Sequence, residues 1–187
     1  MKDFWRLTGF LAAIVIGALL VNALVFRSFA VNGPSMQTTL FTGDRLIVNR
    51  LPITWSLVSQ KPYLPARGQI VVFTNPNWRP GLPERYIVKR VIGLPGERVL
   101  VSDGKITVFN HQKPYGFNPD NGITGPTSPT SGNSDTVVPP DQIYVAGDHR
   151  QDGFSLDSRN GLGTVPLSDL QGPAVLRFWP ITQLRLF

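Results

Sequence analysis

The sequence predicts a mainly β domain preceded by one N-terminal membrane-spanning helix. Three observations predict this class. An uncharged run of 20 residues lies near the N-terminus, short β-rich runs punctuated by Gly and Pro fill much of the remainder, and Asp103-Gly104 separates two such runs. At 187 residues the chain has room for one such helix and one domain of ordinary size.

The apolar run, LTGFLAAIVIGALLVNALVF from Leu7 to Phe26, is about 30 Å long as a helix, the hydrocarbon thickness of a bilayer. It divides the chain into a short N-terminal segment (1–6), a transmembrane signal anchor (7–26) and an extracytoplasmic domain (27–187). Lys2, Arg6 and the terminal amine flank the anchor on one side and Arg27 on the other, a bias that places the N-terminus in the cytoplasm. The alternative is a cleavable signal peptide, because Ser28-Phe29-Ala30 carries small residues at the spacing of a cleavage site. The run exceeds the roughly 7–15 residues of such a peptide's apolar core, which favours the anchor. A variant is self-cleavage of the chain after Ala30.

In the domain, strands are predicted at Arg45 to Val48, Gln69 to Phe73, Tyr86 to Ile92, Arg98 to Val101, Ile106 to Phe109 and Ile143 to Val145. Asp103-Gly104 joins the fourth and fifth as a tight hairpin, since both residues tolerate positive φ. The stretch from Pro114 to Pro140, rich in Pro, Gly, Ser, Thr and Asn, reads as a long surface excursion. Ile53 and Trp55 follow the first strand and Trp78 lies in a Pro-rich loop; each fits either a lipid interface or the core. The sequence shows no internal repeat.

Composition removes several chemistries. With no cysteine there is no disulfide, no thiolate nucleophile and no Cys-based zinc site, and with two histidines no metal or other cofactor is expected. The formal charge of +6 is scattered and comes with no nucleic-acid motif, so it suits a domain beside a membrane better than one that binds nucleic acid.

Ser35 is the first candidate for chemistry. A serine needs a base to take its proton and donors for the oxyanion formed on attack. Gly33 permits close backbone approach, Pro34 fixes the chain before the serine, and Met36 offers an adaptable apolar contact for substrate. Lys89, 54 positions on, shares a face of its strand with Ile87 and Val91. If that face points inward, desolvation frees the amine to act as a base near neutral pH. A plain turn serine and a lysine snorkelling outward from an edge strand are the unremarkable alternatives. His111 and His149 are the rival bases, and His149 has Asp148 beside it. A third cluster, Gln151 to Arg159 (QDGFSLDSR), holds hydroxyls and charges able to orient a base, or forms an ordinary polar turn.

Taken in order, the anchor, GPSMQTTL (Gly33 to Leu40), GDRLIVNR (Gly43 to Arg50), RGQIVVF (Arg67 to Phe73), YIVKRVIGLPGE (Tyr86 to Glu97), GDHR, SLDSR and RFWP (Arg177 to Pro180) resemble bacterial type I signal peptidase. This is a membrane-bound Ser-Lys protease family. The resemblance implies Ser35 as nucleophile, Lys89 as base and Ser155 as base-orienting hydroxyl. It implies an oxyanion held by the Ser35 N–H and a donor near Gly33, with Arg90, Asp157 and Arg159 as structural support. It further implies a coiled, partly barrel-like β fold and cleavage of signal-peptide-bearing preproteins after small side chains. The site of action would be the outer face of the cytoplasmic membrane, in contact with lipid, with no further subunit evident. Departures are Thr38 where the family usually has Pro, Gly33 where some members have Ser, and two additional residues before Ser155. Two rival readings are a self-cleaving repressor-type Ser-Lys protease, which would lack an anchor, and an anchored β-domain that binds exported chains without cutting them.

Overall fold

The computed structural model describes residues 2–81, 83–151 and 153–187. Met1, the Lys2 side chain and Asp152 of the Gln151 to Arg159 cluster lie outside the described residues. Helix α1 spans Lys2–Leu24 and is exposed along its length. It starts five residues before the apolar run and stops two short of its end. Phe26 instead opens strand β1 (Phe26–Ala30), which pairs antiparallel with β2 (Arg45–Asn49), Phe26 opposite Asn49 and Ala30 opposite Arg45. The ladder to β2 satisfies the backbone groups of residues 26–30 once the helix has ended. The end of α1 is tied down by Arg50 N–H to Val25 O (2.7 Å) and Thr54 Oγ1 to Leu24 O (2.7 Å).

Helix α2 (Leu51–Ser59), absent from the strand-by-strand reading, follows directly, with Pro52 in its first turn where a missing N–H costs nothing. Ile53 packs on the core, whereas Trp55 is 69% exposed, so a core role fits the first and not the second. Trp78 is partly buried, with the Arg85 guanidinium 5.1 Å from its ring centre.

The remaining strands are β3 (Ile70–Thr74), β4 (Tyr86–Gly93), β5 (Arg98–Ser102), β6 (Lys105–Asn110), β7 (Lys113–Phe117), β8 (Ser134–Val137), β9 (Gln142–Ala146), β10 (Val165–Pro166), β11 (Leu170–Trp179) and β12 (Arg185–Leu186). Each of the six predicted strands is present to within a residue at either end. One sheet runs β1-β2-β11-β3-β4-β9-β10, with β12 on β11; a second runs β7-β6-β5-β8. Strand β11 pairs with β2 through one half and β3 through the other, and its register shifts at three places. Such bulges bend and twist a strand, which coils the large sheet around its core. Asp103 (φ 51°) and Gly104 (φ 73°) make the predicted hairpin, closed by the Ser102–Lys105 pair.

The Pro114 to Pro140 stretch is more than a surface excursion. It contains β7 and β8, and Val138 is buried against Ile92, Val99 and Tyr144. Pro114 is tolerated because β7 is an edge strand, where a missing N–H breaks no ladder.

Candidate active site

Strand β4 lies between β3 and β9, so Lys89 is not on an edge. Its backbone is opposite Val71, and alternation sets its side chain with Ile87 and Val91, both members of the main core. Lys89 is 3% exposed, and the snorkelling alternative does not hold. Its Nζ donates to Ser35 Oγ at 2.7 Å and to Val88 O at 2.9 Å. Burial lowers its pKa from the ordinary 10.5 to about 8, against the upward pull of Asp157 and Glu84.

Ser35 sits in a turn that the preceding residues dictate. Gly33 takes φ +89°, a conformation favouring glycine, and Gln37 N–H closes onto Pro34 O at 3.0 Å. Met36 anchors the turn from below. It is 0% exposed, packed with Leu40, Leu46 and Val48, and does not line the cleft, so its expected role as a substrate contact is corrected to a core role. A flexible thioether fills this space beneath the serine turn. Thr38, where the family usually has Pro, donates its hydroxyl to Gly125 O at 2.9 Å. The Ser35 carbonyl accepts the His149 N–H at 3.1 Å, while the Ser35 N–H has no partner among the described residues and remains open to an oxyanion.

Ser155 is buried and lines the same cleft as Ser35 and Lys89. Its hydroxyl donates to Asp157 Oδ2 at 2.7 Å; the two bonds from Lys89 go to Ser35 and Val88 instead. Asp157 also accepts from Arg159 Nε (3.0 Å) and Nη2 (2.8 Å) and from the Gly147 N–H (2.8 Å). Burial pushes this carboxyl up, but Arg159 and the other donors outweigh it and hold the pKa below the usual carboxylate value. Gly147 is required by close approach, because a Cβ there would meet Ser155 Oγ and Ser35 O.

Arg90 points to the opposite face of β4. Its Nε and Nη2 hold Asp148 Oδ1 and Oδ2 at 2.7 and 2.5 Å, and its Nη1 donates to Gly68 O at 2.7 Å. Thr39 Oγ1 makes a short hydrogen bond to Asp148. Behind them, fully buried Arg150 is bidentate to Asp120 (2.7 Å each) and donates to Gly147 O at 2.6 Å. Sequence reasoning missed Thr39, Asp120, Asp148 and Arg150 as members of this network. The opposite charges flanking His149 in GDHR were a signal for the last two; Asp120, in a turn-rich stretch, offered none.

The histidines take other positions. His111 is exposed in the turn after β6. The His149 ring has Nδ1 3.3 Å from Pro34 O and stacks on Phe154, so it does not hold the Ser35 hydroxyl. Among the described residues no cluster of acids and histidines could hold a metal. The cleft over Ser35 is walled by β1, Gly33 to Ser35, Tyr86 to Lys89, and Phe154 to Leu156, and has a volume of about 220 Å³.

This arrangement pairs a serine with a buried amine able to shed its proton near neutral pH, beside an open backbone donor. Residues 4–179 match a family model described as signal peptidase, peptidase S26. A signal peptidase I P of Bacillus subtilis subsp. natto is 32% identical over 175 residues, covering 91% of this chain and 86% of its own. A signal peptidase I of Leptolyngbya laminosa is 34% identical over 180 residues, covering 90% and 79%. A crystal structure of a signal peptidase I from Enterococcus faecalis is 23% identical with a TM-score of 0.42, covering 58% of this chain and 95% of that one.

Proposed function

The chain belongs to the signal peptidase family, peptidase S26, and on that premise we propose that it removes signal peptides from exported preproteins with Ser35 as nucleophile and Lys89 as general base. The observation that carries this assignment is the 2.7 Å contact between Lys89 Nζ and Ser35 Oγ, made by a buried amine whose pKa is lowered to about 8. Neutral Lys89 takes the hydroxyl proton as Oγ attacks the scissile carbonyl. The oxyanion is met by the Ser35 N–H and a second donor near Gly33. The lysine then protonates the leaving amine, and water hydrolyses the acyl-enzyme. Ser155 is the base-orienting hydroxyl: with its proton committed to Asp157, its lone pairs are left to receive the amine. Arg90, Asp157 and Arg159 hold this arrangement in place.

Strand β1 is an edge strand that lines the cleft, so an extended preprotein segment can add to it by main-chain hydrogen bonds. A volume of about 220 Å³ is below the roughly 300 Å³ at which ligand pockets begin, which suits short side chains. The family is membrane-anchored, and α1 is long and apolar enough for a single span. In the proposed topology residues 1–6 are cytoplasmic, 7–26 form the anchor, and 27–187 work on the outer face of the cytoplasmic membrane against lipid. In the test, detergent-solubilised full-length protein is incubated with a preprotein beside Ser35→Ala. The wild type should release the mature product and the variant none. Cleavage by the variant defeats the assignment, and binding without cleavage by the wild type supports the non-cutting alternative.

A further inference from the structure

The loop between Arg150 and Ser155, longer by two residues than the family motif it resembles, carries an aromatic side chain that the chemistry above does not use. Gly153 turns the chain with φ +78°. Phe154 then lies flat against the His149 ring, with centroids 4.1 Å apart and planes within 5°. His149 is itself fixed to the nucleophile turn, by its N–H on Ser35 O and its ring on Pro34 O. Ser155 is turned inward to Asp157, while its neighbours Phe154 (47% exposed) and Leu156 are turned outward and line the cleft. In the same cleft Phe29 and Tyr86, from β1 and β4, meet edge to face at 5.2 Å between centroids. Phe154 lines the cleft where His149 meets Pro34 and Ser35.

We infer that Phe154, braced by His149, determines specificity by receiving an apolar side chain of the substrate just beyond the scissile bond, on the leaving-group side. This rests on the reading of Ser35 and Lys89 as the reacting pair. In the inferred pose the acyl portion of the peptide lies along β1 and β4, and the leaving portion runs past Ser35 over the Phe154 ring. Half-exposed apolar surface at that point favours a side chain that removes it from water over one that needs water itself. His149 acts as a positioning residue: a ring stacked face to face and tied to the nucleophile turn keeps Phe154 from rotating away.

The test uses full-length enzyme in detergent and two preproteins identical except for Leu or Ser directly after the cleavage point. The wild type should favour Leu by roughly 10-fold in kcat/KM, with the difference in KM rather than kcat. Phe154→Ala should bring the ratio close to 1, and Phe154→Leu, which keeps an apolar side chain, should retain part of it. His149→Ala should reduce the ratio, and His149→Phe, which restores a stacking ring, should recover it. A wild type without preference, a ratio unchanged in Phe154→Ala, or a ratio indifferent to both His149 variants overturns the inference. Cleavage of both substrates by Ser35→Ala instead defeats the reading on which it rests.

Discussion

Lys89 and Arg90 are consecutive cations on β4, buried to 3% and 6% exposure, yet their surroundings are opposite. Arg90 meets Asp148 with both arms of its guanidinium and is a paired, hydrogen-bonded ion. Lys89 has an uncharged hydroxyl and a carbonyl as its partners. The carboxylate that pulls on it most, Asp157, is occupied by Arg159, Gly147 and Ser155. A guanidinium keeps its proton in any protein setting, so Asp148 serves to pair Arg90, whereas a buried lysine whose strongest carboxylate neighbour is claimed by other donors loses its proton more readily.

Four experiments break or sharpen this contrast. The largest effect is expected from Lys89→Met, which keeps the apolar stem and removes the amine; preprotein cleavage should fall by on the order of 10³-fold or more, measured by product release under single turnover. Arg90→Met should act on the fold instead. It strands Asp148, which is 0% exposed, and should cost about 3–5 kcal/mol in a denaturant titration.

Third, Lys89→Met should stabilise the protein at neutral pH. The native lysine has its pKa lowered to about 8, so between about pH 8 and 10.5 the unfolded chain binds more protons and stability rises with pH, whereas below 8 the native state carries the full cost of burying the charge. The fall from 10.5 to about 8 corresponds to up to about 3 kcal/mol at pH 7. Thermal melts should show the variant ahead at pH 7, with its advantage shrinking through that window; a variant no more stable at pH 7 would contradict the desolvated-amine picture. The smallest effect is in the wild-type pH profile. Cleavage should rise about tenfold per pH unit below pH 8 and level off above it, since only the neutral amine accepts a proton. A profile flat from pH 6 to 9 would separate Lys89 from the proton transfer.

Much of this contrast was legible in the sequence, but unevenly. The alternation in Tyr86 to Ile92 put Lys89 with Ile87 and Val91, and the inward direction of that face needed only β4 to lie inside a sheet. Met36 was misread, because a methionine beside a candidate nucleophile looks the same in sequence whether it faces substrate or core. Strands β7 and β8 were hidden in a turn-rich stretch, since edge strands tolerate Pro and polar residues that interior strands do not. The hydrogen bond from Ser155 to Asp157, in place of one to Lys89, depends on a close approach at Gly147 that no spacing rule supplies.

The sequence by itself determined the membrane-spanning run, six strands and the Asp103-Gly104 hairpin, because each follows from local periodicity, length or the positive φ of a turn. Through its ordered motifs it also determined the family. Only the tertiary structure decided which buried cation is paired and which is not. Asp148, Asp157 and Arg159 come from segments far along the chain from β4, and a charge's protonation depends on what folding brings within a few ångströms of it.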